Sequence, residues 1–244
     1  MQDAVWDALR RTHAIERADP TTWRIEHPAG LNQIPEAPTF LPIGGDATRA
    51  AINDCLGAGT WDAPRRWGAF HVTFPVPGRE WTVPPLLWHA DFPFDLPPTP
   101  LPGVKVFVFL TDVPPRGGGT LVVSGSHRLA RRLAAEAPPA QRGDTRRMRL
   151  RLLDSHLWLR GLSSSAERDD RVRRFMDEGA AIDDVRVQVV ELSGRAGEIV
   201  LTDPWLLHCR SLNCGNAPRF MRSTDVYRRE LHPLVFRTAE KDAT

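Results

Sequence analysis

The sequence predicts a mainly β domain carrying helices at its N-terminus and a helical insertion in its second half. Three observations predict it. From Trp67 onward, short runs rich in β-branched and aromatic residues are broken by Pro and Gly. Before Trp67 the apolar residues recur with helical spacing. Between Arg128 and Arg174 the strand texture gives way to thirteen arginines against six acidic residues. Many short strands separated by turn residues indicate a sandwich or barrel. A chain of 244 residues suits one such domain with extra helices and is short for two. Residues 1–244 are therefore read as one domain, with 1–66 as helical support and 128–184 as an Arg-rich insertion or lid.

The elements follow in order. Val5, Trp6, Leu9 and Ile15 can line one side of a helix over 3–17, which Asp19-Pro20 stops, because the residue before proline is pushed out of the helical region. Asp46 as N-cap, Ile52, Cys55 and Leu56 on one face and Gly57 as C-cap predict a second helix over 47–56. Pro28 to Pro42 reads as loop and extended chain. Strands are predicted at 67–74, 81–90, 103–111, 119–124, 185–192, 197–202, 205–212 and 219–228. Within the insertion, 128–136, 152–160 and 166–178 read as helical, and Ser164-Ser165-Ala166-Glu167 has capping-box spacing.

Composition excludes several classes. Hydrophobic residues at 41% and charged residues at 25% argue against disorder. A net charge of +2 provides no global field for nucleic acid. The chain has two lysines, Lys105 and Lys241, so its basic character is nearly all arginine. Cys55, Cys209 and Cys214 make no disulfide framework, which suits a reduced cytoplasm. The first residues lack a secretory pattern, and no run reaches ~18 apolar residues, so no membrane span is expected.

The chemistry concentrates in Trp88-His89-Ala90-Asp91-Phe92 and in Trp205-Leu206-Leu207-His208. Side chains two apart on a strand point the same way, so His89 and Asp91 form a pair from one short segment. Flanking Trp88 and Phe92 place that pair in partial burial, where a carboxylate needs a partner such as a cation. His208 ends an apolar run and can supply a third ligand. Two imidazoles and one carboxylate occupy one face of an octahedral Fe(II) and leave three positions open.

Arg219 follows His208 by eleven residues, across the turn Asn213-Cys214-Gly215-Asn216-Ala217-Pro218. A hairpin closing symmetrically there would oppose His208 to Ser223. It would put Arg219, Met221 and Ser223 on the inner face and Arg222 outside; a one-residue slip would reverse this. An inward arginine beside a metal calls for an anion, and its fork fits a carboxylate. Gly117-Gly118-Gly119 precedes a strand and lacks the Gly-Lys-Ser/Thr of a phosphate loop, so it is read as a turn. His127, in a Gly/Ser turn, is read as structural.

His89-Ala90-Asp91, the stretch Gly118-Gly119-Thr120-Leu121-Val122-Val123-Ser124-Gly125-Ser126-His127, and His208 with Asn213, Pro218 and Arg219 together resemble the phytanoyl-CoA dioxygenase family. The resemblance runs from about Trp67 to Tyr227. It implies a double-stranded β-helix, a jelly-roll or cupin-like fold, and an Fe(II)- and 2-oxoglutarate-dependent dioxygenase that consumes O2, hydroxylates a small molecule and releases succinate and CO2. It implies His89, Asp91 and His208 as metal ligands, Arg219 as partner of the far carboxylate of 2-oxoglutarate, and Phe107 and His71 as further cosubstrate residues. Many relatives have a small hydroxyl residue two positions after the last histidine. Here Arg210 stands there and Ser211 follows, so Ser211 is the candidate for that contact. Asp91 argues against halogenation, which needs a small residue at that place.

The expected partner is a small-molecule substrate, with anionic and carrier-linked compounds among the candidates because the Arg-rich stretch from Arg128 to Arg174 carries a net charge of about +7. Other readings remain open at this stage: a taurine-dioxygenase-type oxygenase, an oxoglutarate-independent cupin-type metalloenzyme, a zinc hydrolase, and a non-catalytic jelly-roll binding module.

Overall fold

The computed structural model describes residues 1–31, 34, 38–166 and 170–232. Its elements alternate helical blocks with antiparallel strands. Two N-terminal helices, α1 (Gln2–His13) and α2 (Asp46–Leu56), precede β1 (Ala69–Thr73), β2 (Gly103–Phe109) and β3 (Leu121–Ser124). Four helices follow: α3 (Ser126–Glu136), α4 (Pro139–Arg142), α5 (Thr145–Asp154) and α6 (Leu157–Leu162). A π-helical turn at Arg173–Glu178 leads into β4 (Ala180–Ile182), β5 (Val185–Glu191), β6 (Ile199–Thr202), β7 (His208–Cys209) and β8 (Arg219–Tyr227).

The strands form two four-stranded antiparallel sheets, ordered β1-β8-β2-β6 and β4-β5-β3-β7. Strand β2, Gly-Val-Lys-Val-Phe-Val-Phe, is buried along its whole length. Val104, Val106 and Val108 pack on one side with Val5, Leu9 and Ile52 of α1 and α2. Phe107 and Phe109 fall on the other, with Val113 and Met221. Period-two alternation thus assigns one face of the sheet to the helical layer and the other to the site. A third cluster joins Trp88, Phe92 and Phe94 to Val123 and Val187 of the second sheet and to Leu152, Trp158 and Leu159 of the insertion. Each fully buried side chain of this size contributes about 1.5–3 kcal/mol, so the insertion helices are anchored rather than appended.

Several boundaries differ from expectation. Helix α1 ends at His13, not at 17. Ala14 turns left-handed (φ 52), its N–H and that of Ile15 reach back to Arg10 and Leu9, and Ile15 is driven into the core. Gly45, not Asp46, caps α2, and Asp46 lies in the first turn, where its charge favours the helix dipole. No named strand forms over 81–90: Pro84 and Pro85 lack N–H donors and Leu87 adopts φ 71, so only an isolated bridge at His89 survives. Expected strand 205–212 shrinks to His208–Cys209. The helix expected over 152–160 is two helices broken at Ser155-His156, and β4 was not foreseen. Glu167 of the expected capping box lies outside the described residues.

The symmetric hairpin linking His208 to Ser223 does not form. Strand β7 pairs with β3, whereas β8 pairs with β1 and β2, so the chain crosses from one sheet to the other between them. Arg222 points away from the site as expected, yet it is buried, not solvated. Its guanidinium bonds the Gly68 carbonyl and lies over Phe40 and Phe70. Among the described residues no helix is long and apolar enough to cross a membrane.

Candidate metal and cosubstrate site

A cavity of about 1070 Å³ opens between the sheets and the insertion, and its floor carries His89, Asp91, His208 and Arg219. The two histidines face each other directly. The His89 N–H donates to the His208 carbonyl at 3.0 Å, and the His208 N–H returns the bond at 2.8 Å. Their rings stand 4.3 Å apart. Asp91, one alternation beyond His89, completes the cluster: its carboxylate lies 3.6 Å from His89 Nε2 and 3.3 Å from His208 Nε2.

The ring orientations fit a metal. Each Nδ1 sits against a backbone carbonyl, His89 on Leu87 at 2.7 Å and His208 on Leu206 at 3.0 Å. A carbonyl only accepts, so each Nδ1 carries a proton and each Nε2 is the nitrogen turned toward Asp91, where it can serve as the ligand atom. One ligand atom from each residue falls within 4.8 Å of the other two, a spacing that can close on one ion. Burial lowers the pKa of His89, with His208 adding to the effect, which favours the neutral, ligating form. Burial works against the Asp91 carboxylate, but His208 and Lys105 outweigh it and hold the acid well below the usual carboxylate range.

The glycine-rich stretch positions His208. Ser126 Oγ donates to the Val123 carbonyl (2.7 Å) and accepts from the Leu207 N–H (2.9 Å), pinning the residue before the histidine onto β3. Gly125 takes φ 82, and a Cβ there would stand 2.2 Å from the Arg186 carbonyl oxygen, so only glycine fits. The Trp205 indole donates to the Pro93 carbonyl (3.0 Å), joining the segment of the late histidine to that of Asp91. His127 lies in the first turn of α3 and does not line the cavity.

Arg219 enters from β8 opposite Thr73 of β1. It is almost wholly buried; its Nη2 donates to Thr73 Oγ1 (2.8 Å), and its Nε has no partner among the described residues. Burial pushes its pKa down to about 10, with Glu191 opposing. A buried guanidinium with an open donor is costly unless an anion completes it. Asn213 fixes the approach, donating to the carbonyls of Thr73 (3.1 Å) and Ala217 (2.9 Å).

His71 and Phe107 also line the cavity. Phe107 presents itself edge-on to His208 at 5.8 Å, and His71 bonds Ser223 Oγ at 2.8 Å. The His71 ring is open to the cavity yet enclosed on its other sides. Burial, then Arg219 and Lys105, push its pKa down to about 4. Ser211 does not join the site. It is buried, and its Oγ donates to the Gly119 carbonyl at 2.7 Å, so the register change that would bring it to a cosubstrate is absent; Arg210 lines the cavity instead. The hydroxyl beside Arg219 comes from Thr73.

Lys105 is the residue that sequence reasoning passed over. It projects from β2 among the ligands, contacts Asp91 Oδ2 directly and lies 3.3 Å from Asp225 Oδ1. Burial would lower its pKa, but Asp225 and Asp91 more than compensate and raise it. The signal was present in the sequence: a lysine inside an otherwise apolar strand must find a counter-charge.

Among curated proteins none matches the chain. Three solved structures illustrate its likeness. The non-heme α-ketoglutarate-dependent epimerase SnoN of nogalamycin biosynthesis is 18% identical over 80% of this chain, with a TM-score of 0.34, and the chain spans 64% of that protein. The carbocyclase SnoK of the same biosynthesis is 17% identical over 96% of this chain and 89% of its own, with a TM-score of 0.41. HygX from Streptomyces hygroscopicus, solved with nickel and 2-oxoglutarate, is 16% identical over 94% and 79%, with a TM-score of 0.45. The family model for phytanoyl-CoA dioxygenase matches residues 46–221. That span begins with α2 and ends in β8 just past Arg219, taking in most of the chain and nearly all of the cavity floor, and on it the chain belongs to the phytanoyl-CoA dioxygenase family.

Proposed function

We propose that this chain is an Fe(II)- and 2-oxoglutarate-dependent dioxygenase that hydroxylates a small organic substrate. The observation that carries the reading is the pairing, on one cavity, of an inward-facing His89–Asp91–His208 cluster with a buried arginine whose Nε lacks a partner among the described residues. In this reading His89 and His208 hold the metal through Nε2 and Asp91 through one carboxylate oxygen. Iron and 2-oxoglutarate, when bound, supply the oxidation: one atom of O2 enters the substrate as hydroxyl, the other enters succinate, and CO2 leaves.

The chain's own residues bind, orient and exclude water. Arg219 receives the far carboxylate of the cosubstrate as a charge-assisted pair, with Thr73 fixing the guanidinium. Lys105 neutralises the second Asp91 oxygen and leaves the first for the metal. Phe107 and His71, neutral at pH 7, wall the cosubstrate. Asp91 keeps a carboxylate in the ligand set, which favours oxygen insertion over halogenation.

The fold reading is a jelly roll of the double-stranded β-helix type in one domain over 1–244, supported by the two four-stranded antiparallel sheets. Within it 1–66 serve as support, and 128–184 serve as the lid, supported by α5 side chains at the cavity mouth. Three unpaired cysteines suit a reduced, cytoplasmic setting. An oxoglutarate-independent cupin-type enzyme or a non-catalytic binding module would leave the buried Arg219 without a role. Anaerobic addition of Fe(II) and then 2-oxoglutarate tests the reading, with a weak visible charge-transfer band expected only when both are present. Succinate release coupled to O2 consumption is the second readout.

A further inference from the structure

The mouth of the cavity differs in chemistry from its floor. Among the described residues seven large apolar side chains stand exposed, and three of them share this one rim: Leu86 and Leu87 at 59% and Leu150 at 51%. Single exposed leucines are ordinary, but a cluster at the entrance of a concave site marks a binding surface. Leu87 adds an independent sign. Its backbone is left-handed (φ 71), a conformation that leucine rarely adopts, and its carbonyl accepts from the ligand-set His89. The same twist that orients the imidazole leaves the Leu87 side chain at the rim.

The insertion completes the opposite wall. Helix α5 contributes Leu150 and Leu153, together with Arg149. Arg149 makes no hydrogen bond or ion pair among the described residues. The carboxylate nearest along α5, Asp154, is engaged by Arg160 at 3.0 Å. Arg210 belongs to the other end, where its charge bears on Arg219 and His27. The unneutralised charge at the leucine rim is therefore the Arg149 guanidinium. Size points the same way: at about 1070 Å³ the cavity matches the roughly 300–1,000 Å³ of sites for drug-sized ligands, far more than a five-carbon dicarboxylate fills.

We propose that the substrate is an amphipathic organic anion larger than the cosubstrate, its apolar body resting on Leu86, Leu87 and Leu150 and its anionic group meeting Arg149. This rests on the oxygenase reading above. It makes α5 a specificity element.

A matched pair of fluorescent probes tests it: anilinonaphthalene sulfonate and N-phenylnaphthylamine, which share a ring body and differ in the sulfonate. Each is titrated into protein loaded anaerobically with Ni(II) and 2-oxoglutarate. The sulfonate is expected to bind about tenfold more tightly. Arg149→Gln should bring it to the neutral probe's affinity and leave that probe unchanged. The double substitution Leu86→Ser and Leu150→Ser should weaken both probes about tenfold. Leu41→Ser, at an exposed leucine away from the cavity, should change neither. Equal affinity for the two probes, or insensitivity to the rim substitutions, overturns the proposal. A parallel sample with Fe(II) in place of Ni(II) separates the two levels. Without the charge-transfer band the oxygenase reading itself fails; with the band and rim-insensitive probes, only the substrate class fails.

Discussion

His89 and His208 exchange both backbone hydrogen bonds across an isolated antiparallel bridge, 119 residues apart in sequence, and this bridge sets the distance between the two imidazoles. Neither histidine depends on a long strand. Each is held by its partner's backbone and by a carbonyl on its own Nδ1. The placement of the two imidazoles is thus a property of six backbone groups and of whatever keeps the two segments in register.

Ser126 is the chief keeper of that register, because its hydroxyl satisfies the buried Leu207 N–H. Ser126→Ala leaves that donor unmet and is expected to cost about 1–3 kcal/mol, read as a lower urea midpoint at unchanged slope. Metal affinity should fall with it, because His208 is the next residue. A Ser126→Ala protein as stable as the parent and binding metal equally well contradicts this role.

Lys105 stands between Asp91 and Asp225. Lys105→Met leaves two carboxylates close together without their cation and is expected to destabilise the metal-free protein by about 2–3 kcal/mol, below the fully buried case because Asp91 opens onto the cavity. Adding Asp225→Asn should restore part of the loss. A double-mutant cycle on thermal or urea unfolding measures the coupling. Additive effects would show that the contact is incidental.

Arg219 should separate cosubstrate from metal. Arg219→Met keeps the volume and removes the fork, and is expected to weaken 2-oxoglutarate by about tenfold to a hundredfold, with Fe(II) or Ni(II) affinity nearly unchanged. Calorimetric titration of each in turn provides the comparison. Equal loss of both would assign Arg219 to the fold instead.

His71 predicts a pH dependence. Its folded pKa, about 4, lies below the ordinary histidine value of about 6.5, so the folded state resists protonation. The unfolded chain binds the proton first as pH falls, and stability is lost from about pH 6.5 down to about pH 4. Above pH 6.5 the ring is neutral in both states and has no effect. His71→Gln should flatten that part of the stability curve of the metal-free protein while leaving the region above pH 7 parallel to the parent. An unchanged slope between pH 6.5 and 4 would remove His71 as the cause.

Much of this site was legible because side-chain alternation survives where regular strands do not. His89 and Asp91 share a direction although 81–90 lacks a ladder, since an extended segment of three residues suffices. Arg219 reaches the cavity through pairing with β1 and β2, not through the expected hairpin with His208. Arg219 and Met221 share one face of β8 whichever neighbour the strand pairs with, because parity along a strand does not depend on the partner; Arg219 lines the cavity and Met221 packs with Phe107. The partners of the ligands were less legible. Thr73 lies 146 residues from Arg219, and Ser126 lies 81 from Leu207, separations that no local pattern encodes. Ser211 was misplaced for the converse reason: spacing along the chain suggested the pocket, whereas its hydroxyl is already committed to Gly119.

The central claim is that the His89–Asp91–His208 cluster and Arg219 form one iron and 2-oxoglutarate pocket. The most direct measurement is the anaerobic visible spectrum of the protein with Fe(II), before and after 2-oxoglutarate. The account predicts a weak charge-transfer band that appears on addition of 2-oxoglutarate, is absent in Asp91→Ala, and needs far more cosubstrate in Arg219→Met. Tight Fe(II) binding with no band at any concentration of 2-oxoglutarate would contradict it.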